Sequence, residues 1–318
     1  NLGVVGALSS PGSPLRLPGP SLSLRRGLMR RIIRGSKSGR RRLLSTRANV
    51  CVVYDQDLSA RNAKRFAQDL KLPLIGRCKR EELKTHQKKH RKFKDNIISA
   101  SPLIGYNYAL SVGECLELHS LCRSFAPLKV DFVSGPNGYR LRNLHNELIK
   151  QAVGLSQEGL RVVDSTGGLG VDSMVLAALG AEVTIIERCP VVAALLEDGI
   201  KRAKNHWLLS HLCVEVVHAD SIAYLPRLEQ VPDVIYIDPM YPDHEFRTTA
   251  APKEMVILRD LAGNDADDAE LFEVAMASCS GRVVVKRPMR ASAVASELGV
   301  QPDSSLAGQS SRFDVYLI

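Results

Sequence analysis

The stretch V-V-D-S-T-G-G-L-G-V-D, at residues 162–172, decides the fold. A short apolar run leads into three glycines, Gly167, Gly168 and Gly170, and a helical pattern follows them. This order predicts a strand, a tight turn and a helix start, because glycine permits a positive φ and lets a ligand approach the main chain. The next apolar run ends in Glu187, and a carboxylate at that strand tip can hydrogen-bond the hydroxyls of a ribose.

The spacing around the glycines separates two classes of nucleoside ligand. Asp164, Gly168 and Gly170 fit the pattern D-x-x-x-G-x-G, which is typical of S-adenosylmethionine sites. The dinucleotide pattern G-x-G-x-x-G requires a third glycine where this chain has Ser173. The sequence therefore favours S-adenosylmethionine, and the alternative is a glycine turn that serves only strand-to-helix packing.

A second motif follows about 70 residues downstream. The apolar run at residues 233–237 predicts a buried strand, and D-P-M-Y-P at residues 238–242 follows it directly. Open α/β sheets keep their ligands at such strand ends. The Asp238 carboxylate and the Pro239 carbonyl can accept hydrogen bonds from an exocyclic amine, and Tyr241 can stack on the base. A proline-stiffened turn without a chemical role is the alternative interpretation.

Residues 130–318 resemble the bacterial 16S ribosomal RNA guanine-N2 methyltransferases of the RsmJ type. The resemblance rests on D-S-T-G-G-L-G-V-D, E-R-C-P-V-V-A-A-L-L-E-D-G, H-A-D-S, Y-I-D-P-M-Y-P, V-V-V-K-R-P and R-F-D-V-Y, in this order along the chain. It implies that the donor S-adenosylmethionine contacts Val171, Asp172, Glu187, Arg188, Asp220, Ser221 and Asp238.

The resemblance also implies the fold and the reaction. We expect an α/β protein with a Rossmann-like class I S-adenosylmethionine-dependent methyltransferase domain and a small N-terminal α/β subdomain. The expected reaction is methylation of the N2 amine of a guanine in small-subunit (16S-type) ribosomal RNA, or in the assembling small ribosomal subunit. Another acceptor, such as an adenine N6, a protein or a small molecule, is one alternative. The other is a non-catalytic ribosome-assembly factor.

Composition limits the class of protein. The 318 residues are 45% hydrophobic and 24% charged, and no apolar run reaches the roughly 20 residues that cross a bilayer. We therefore expect no membrane partner. The seven cysteines form no C-x-x-C pair, which predicts reduced, mostly buried thiols and no metal site.

The beginning of the chain has a different composition. Residues 1–54 hold ten Arg and Lys37 but no Asp or Glu, a pattern typical of an organelle transit peptide. We assign residues 1–48 to a transit peptide or disordered basic tail, and we expect the mitochondrial matrix, with the plastid or the cytoplasm as alternatives. Residues 49–138 are predicted to form the N-terminal subdomain and residues 139–318 the methyltransferase domain.

RNA contacts are predicted from local basic clusters. The run at residues 78–94 holds eight Lys or Arg against two Glu, which indicates either a solvated face or a phosphate-binding surface. His86 and His90 within it are interpreted as polar surface rather than metal ligands. The predicted RNA-binding residues are Lys88, Lys89, Arg91, Lys92, Lys94, Arg140 and Arg142.

Hydrophobic periodicity predicts the remaining elements. Strands are expected at 49–54, 128–133, 159–164, 182–187, 213–218, 233–238, 282–286 and 313–318, with a turn at 134–138. Helices are expected at 59–70, 144–153, 170–179, 190–203 and 267–278. The alternation of strands and helices after residue 159 predicts a parallel sheet that ends in an antiparallel hairpin.

Overall fold

The computed structural model describes residues 48–92, 101–145, 147–156, 159–240, 252–263, 267–294, 296 and 299–318. Residues 1–47 of the predicted transit peptide lie outside this range. The same holds for Lys94 and Tyr241. The strands are β1 (Val50–Tyr54), β2 (Leu74–Arg77), β3 (Tyr108–Val112), β4 (Leu116–Ser120), β5 (Arg161–Asp164), β6 (Glu182–Glu187), β7 (Val214–His218), β8 (Val234–Ile237), β9 (Arg282–Pro288), β10 (Ser304–Ala307) and β11 (Ser311–Leu317).

The helices lie between these strands. They are α1 (Ala60–Asp69), α2 (Arg80–Lys92), α3 (Gly135–Arg142), α4 (Leu148–Val153), α5 (Val171–Ala178), α6 (Pro190–Lys204), α7 (Ser221–Tyr224), α8 (Lys253–Ala262) and α9 (Asp268–Ser278). In the described part of the chain, no helix combines the length and the apolar character needed to cross a membrane.

The larger sheet has seven strands in the order β10-β11-β9-β8-β5-β6-β7. The pairs among β5 to β9 are parallel, whereas β11 pairs antiparallel with both β9 and β10. Runs such as V-I-Y-I in β8 are buried throughout, as expected for parallel strands covered on both faces. The predicted parallel sheet with a terminal antiparallel hairpin is confirmed, and the ends of β5, β6 and β8 lie side by side.

The smaller sheet has the order β2-β1-β3-β4, with β1 parallel to its two neighbours and β3 antiparallel to β4. One hydrophobic cluster contains residues of both sheets, including Leu110 of β3 and Val162 of β5. The Tyr108 hydroxyl also donates a 2.7 Å hydrogen bond to Asp260 of α8. The boundary proposed near Gly138 remains a prediction, since this packing is continuous across it.

Two local predictions before the larger sheet are wrong. Residues 128–133 form no strand, and their ladder contact is an isolated bridge from Leu128 to Leu118. The alternation still marks the side chains that are buried, but the carbonyl of Val130 accepts a hydrogen bond from Arg202 of α6. The expected turn at 134–138 is the first turn of α3, where Pro136 fits because no N–H is needed there.

The basic run folds as helix α2. Its Leu83 and His86 are buried, while Glu81, Lys84 and Lys88 are exposed. The interpretation of His86 as polar surface is therefore wrong, because its position three residues after Leu83 puts it on the packed face of the helix. Four of the seven cysteines are buried, and all seven are free thiols.

Candidate active site

The glycine turn joins β5 to α5 and lies against the neighbouring strand β6. The amide of Gly167 donates a 3.0 Å hydrogen bond to the carbonyl of Ile186. A Cβ on Gly167 would lie 2.7 Å from the Ile185 Cγ2, so no larger residue fits there without movement. Gly170 begins α5 with φ +69° and lies where a Cβ would meet Leu196 of α6 at 2.5 Å. The turn is therefore fixed by close packing.

Glu187 ends β6 and is held by backbone amides on both sides. Its Oε2 accepts a 2.7 Å hydrogen bond from the Gly168 amide, and its Oε1 accepts a 2.6 Å bond from the Cys189 amide. The side chain is buried yet lines the cavity above the sheet. Charge-assisted bonds of this kind orient a carboxylate, which suits the predicted role of Glu187 in binding the ribose of the donor.

Asp164 ends β5 beneath the glycine turn. Its carboxylate accepts hydrogen bonds from the Thr166 amide at 3.0 Å and from the Ser173 hydroxyl. Burial raises the pKa of Asp164 to about 6, against the opposing effect of these hydrogen bonds. Through these two hydrogen bonds Asp164 connects the glycine turn to α5. The motif alone did not indicate this structural role.

The raised pKa of Asp164 predicts a pH dependence of folding. The folded protein binds the Asp164 proton more tightly than the unfolded chain, where the ordinary value is 3.8. The stabilisation is therefore complete only below the unfolded value, at about pH 3, and is lost as the pH rises through about 6. Relative to Asp164→Asn, the free energy of unfolding of the wild type should fall by about 3 kcal/mol between about pH 3 and pH 7. Denaturant titrations of both proteins without donor would measure this, and parallel pH curves would contradict it.

Asp172, in the first turn of α5, lies at the centre of an ion-pair network. Its Oδ1 accepts a 2.7 Å hydrogen bond from Arg140, and its Oδ2 accepts bonds from the Tyr236 hydroxyl at 2.7 Å and the Lys286 Nζ at 2.8 Å. Burial alone would raise the pKa of Asp172, but the charges of Lys286 and Arg140 outweigh burial and lower it to about 2. Its carboxylate is thus committed to protein partners, although the residue borders the cavity.

Asp238 stands at the end of β8, where the second motif predicted it. Its Oδ2 accepts a 2.8 Å hydrogen bond from the Lys286 Nζ, and its amide donates a 2.7 Å bond to the Thr166 hydroxyl. The side chain is 38% exposed, in contrast to the buried strand before it. Asp238 and Pro239 both line the cavity. Tyr241, the predicted stacking residue, lies outside the described residues.

Two of the predicted RNA-binding arginines are engaged within the protein. The guanidinium of Arg140 binds Glu147 through two hydrogen bonds of 2.7 and 2.8 Å, in addition to its bond with Asp172. Arg142 is exposed and donates a 3.0 Å bond to the Val133 carbonyl. Arg140 thus forms part of the cavity wall, and RNA contact by either arginine remains a prediction.

The loops after β6 and β7 add polar groups to the same cavity. Arg188 pairs with Asp267 at 3.3 Å, at the start of α9. Asp220 caps α7 by accepting a 3.3 Å hydrogen bond from the Ala223 amide, and the Ser221 hydroxyl donates a 2.6 Å bond to the Ser165 carbonyl. Both positions follow the end of a parallel strand, as the motif H-A-D-S implied.

A cavity of about 330 Å³ brings the predicted donor-binding residues together. Its lining includes every one of them, namely Asp164, Gly168, Gly170, Val171, Asp172, Glu187, Arg188, Asp220, Ser221 and Asp238. Sequence reasoning did not assign a site role to several other lining residues, among them Tyr236 within the second motif and the more distant Glu254, Met255, Asp267, Asp268 and Lys286. For Lys286 the sequence did hold a signal. It directly follows the buried run V-V-V, and a charged residue at that point lies at the edge of the sheet where the parallel strands end and ligands bind.

The charge of the cavity fits a cationic ligand. Among its described lining residues, eight carboxylates stand against three cations. Clefts lined mainly by one sign of charge attract ligands of the opposite sign. S-adenosylmethionine carries a sulfonium and an amine, whereas a dinucleotide carries an anionic pyrophosphate. The glycine turn, the Glu187 carboxylate and this charge thus all suit S-adenosylmethionine.

The strand order, the glycine turn and the acidic cavity define a class I S-adenosylmethionine-dependent methyltransferase. Residues 106–318 match the family model described as "Putative SAM-dependent methyltransferase". The crystal structure of a SAM-dependent methyltransferase from Neisseria gonorrhoeae is similar with a TM-score of 0.60 and 29% sequence identity, over 84% of this chain and 95% of that one.

Curated relatives narrow the class. "Ribosomal RNA small subunit methyltransferase J" of Thioalkalivibrio sulfidiphilus is 44% identical over 229 residues, which cover 68% of this chain and 88% of the relative. The protein of the same name from Chromobacterium violaceum is 38% identical over 244 residues, covering 74% of this chain and 93% of the relative. The chain belongs to this family of S-adenosylmethionine-dependent methyltransferases.

Proposed function

We propose that this enzyme methylates the N2 amine of a guanine in small-subunit ribosomal RNA. The names of its relatives supply the substrate class, and Asp238 is the observation that carries the proposal for this chain. Its partly exposed carboxylate opens into the donor cavity at the tip of β8, next to the Pro239 carbonyl. Two acceptors at this point can bind the two hydrogens of an exocyclic amine.

The residues of this site would act mainly by position. A guanine N2 is a weak nucleophile, because its lone pair is delocalised into the ring. S-adenosylmethionine would supply an activated methyl group: the sulfur–methyl bond breaks as the N2–methyl bond forms, S-adenosylhomocysteine leaves, and the proton that the amine loses passes to solvent. Asp238 and the Pro239 carbonyl hold the amine in line with that methyl group, and such alignment can supply much of the acceleration. Tyr241 is predicted to fix the plane of the base.

A direct assay tests the function. The purified protein is incubated with methyl-labelled S-adenosylmethionine and unmodified small-subunit RNA, either naked or in assembled subunits, and the RNA is digested to nucleosides. We expect label in N2-methylguanosine. Label in N6-methyladenosine, in protein or in a small molecule would replace the proposed acceptor. Donor binding without transfer to any of these substrates would favour the assembly-factor alternative.

We also propose that the protein acts in the mitochondrial matrix during ribosome biogenesis. The support is the composition of residues 1–44, which hold ten basic residues and no acidic ones. Removal of these residues would change the net charge from +9 to −1. Import of a fluorescent protein that carries residues 1–48 measures this, and a cytoplasmic or plastid location would reject it.

The charge change predicts that RNA binding depends on a local patch. We define the α2 patch as Lys88, Lys89, Arg91, Lys92 and Lys94; Lys88 is exposed, the side chains of Lys89, Arg91 and Lys92 are not described, and Lys94 lies outside the described residues. Removal of each side chain that binds a phosphate should lower the slope of log affinity against log salt by about 0.7 to 0.9. Replacing all five by Gln in a protein that begins at Ser45 should flatten the slope by up to about four units.

The matched control for the α2 patch lies on α1. Arg61, Lys64 and Arg65 are exposed there, and replacing them by Gln removes charge without touching the patch. We expect the control to keep most of the salt slope, as measured by RNA titrations at several salt concentrations. Equal slopes for the patch variant and the parent would mean that the α2 patch is only a solvated surface.

A further inference from the structure

Lys286 is the cation nearest to the proposed acceptor carboxylate among the described hydrogen bonds. It lies in β9, beside β8, and its Nζ donates 2.8 Å hydrogen bonds to Asp238 Oδ2 and to Asp172 Oδ2. The side chain is 27% exposed and lines the donor cavity. One ammonium group thus joins the carboxylate at the tip of β8 to the carboxylate at the start of α5.

This interaction is the last link of a chain of alternating charges. Glu147, which precedes α4, binds Arg140 of α3, and Arg140 binds Asp172 at 2.7 Å. Asp172 and Asp238 then share Lys286. The chain of charges spans elements that are separated by more than 130 residues in the sequence, and it ends at the group that faces the substrate.

Asp172 has two hydrogen-bond partners besides Lys286. The Arg140 guanidinium, which also binds Glu147, donates a 2.7 Å hydrogen bond to Asp172, and the Tyr236 hydroxyl donates another of 2.7 Å. The hydrogen bond from Lys286 to Asp238 joins this network to the proposed acceptor carboxylate. A cation at this distance holds a partly exposed carboxylate in one orientation and favours its ionised form.

We propose that Lys286 is a positioning residue for methyl transfer, which holds the Asp238 carboxylate ionised and oriented toward the acceptor amine. This inference rests on the proposed function of Asp238. In this role Lys286 acts through its hydrogen bond to Asp238. Because an ionised and correctly oriented Asp238 is the stronger acceptor for the hydrogens of the amine, loss of Lys286 should affect turnover more than donor binding.

The charges around Lys286 give the inference a pH signature. Burial alone would lower the pKa of Lys286, but Asp238 and Asp172 outweigh burial and raise it above its usual range. Among the described residues, the groups that face this centre are Asp238 after β8, Tyr236 of β8, Asp172 of α5, Asp164 of β5 and Arg140 of α3. Removing the ammonium leaves Asp238 near other acidic groups, so its pKa should rise. The acid limb of the pH-rate profile should then move to higher pH.

The test uses the full chain and two substitutions. Lys286→Met keeps an unbranched side chain that is one atom shorter and removes the charge, and we expect kcat to fall about 10- to 100-fold, as for loss of one charge-assisted hydrogen bond. The dissociation constant of S-adenosylmethionine should change less than about threefold, and the acid limb should move to higher pH. Lys286→Arg restores the charge, and should return the acid limb toward the wild-type position even if the new geometry keeps kcat low.

A matched control and a second uncharged variant separate this role from folding. Arg282 lies on the same strand at the opposite edge of the sheet, outside the cavity. The variant Arg282→Met should therefore keep the wild-type kcat and pH profile. If Lys286→Met does not fold, Lys286→Gln retains hydrogen-bond donors without charge and should show the same shift of the acid limb. A folded uncharged variant with an unchanged acid limb overturns the inference whatever its kcat, as does a loss explained entirely by weaker donor binding.

The proposed function and the role of Lys286 fail in different ways. Absence of N2-methylguanosine with the wild-type protein rejects the acceptor. If the wild type methylates another acceptor, the comparison of Lys286→Met with the wild type is made on that acceptor. A normal wild-type product together with an unshifted acid limb in the uncharged variants rejects only Lys286.

Discussion

Replacing Asp238 by alanine should lower kcat for methyl transfer by about 100- to 1000-fold. This is the range expected when a preorganised hydrogen-bonding group at a reaction centre is removed. Asp238 stands at the tip of β8 with its Oδ2 held 2.8 Å from Lys286, and it is the carboxylate that directly follows this strand. Single-turnover assays with saturating S-adenosylmethionine and RNA would measure the rate separately from binding.

The control for Asp238 lies before the same strand at its other end. Asp233 pairs with Arg161 at 3.5 Å and accepts a 3.0 Å hydrogen bond from the Arg161 amide, away from the cavity. Asp233→Ala should therefore lower stability without lowering the rate of methyl transfer by the folded protein. Turnover within about threefold of the wild type in Asp238→Ala would remove Asp238 from the acceptor site.

Replacing Glu187 by glutamine should weaken S-adenosylmethionine about 10- to 1000-fold. A hydrogen bond to a charged group contributes about 1.5 to 3 kcal/mol, and a carboxylate can accept one from each ribose hydroxyl. The substitution keeps the size of the side chain but removes the charge that also holds the Gly168 amide at 2.7 Å. Calorimetric titration with the donor measures the change directly.

Glu182→Gln is the matched control for Glu187, because Glu182 begins the same strand and is exposed at the opposite edge of the sheet. We expect its donor affinity to equal that of the wild type. Unchanged affinity in Glu187→Gln would exclude Glu187 from the donor site. Tighter binding of a nicotinamide dinucleotide than of S-adenosylmethionine by the wild type would overturn the assignment of the ligand itself.

The parts of the site that sequence predicted best are those set by strand ends. Parallel strands bring their carboxyl ends to one edge of a sheet, so a polar residue after each buried run must face a common space. Asp164, Glu187 and Asp238 each follow such a run, and all three line one cavity. Local patterns sufficed here because the sheet itself supplies the long-range geometry.

The residues that sequence missed depend on pairing between distant segments. Lys286 lies 114 positions from Asp172, and no spacing rule joins the two before the sheet is formed. The same limitation explains the wrong strand prediction at residues 128–133. Their alternation predicts correctly which side chains are buried, but it cannot show whether a partner strand is present. Arg140 was predicted as an RNA contact for its charge alone, while its partners Glu147 and Asp172 depend on tertiary packing.

The alternating chain from Glu147 to Asp238 also constrains how this enzyme can evolve. Loss of one inner member, for example Arg140, deprives the acidic residue on each side of a partner, so its cost depends on the state of its neighbours. Substitutions at these positions are therefore epistatic, and lineages that lose one link should tend to acquire a compensating change at the next. Among relatives, the residues at these charged positions should therefore covary, most strongly at the pair formed by Asp172 and Lys286.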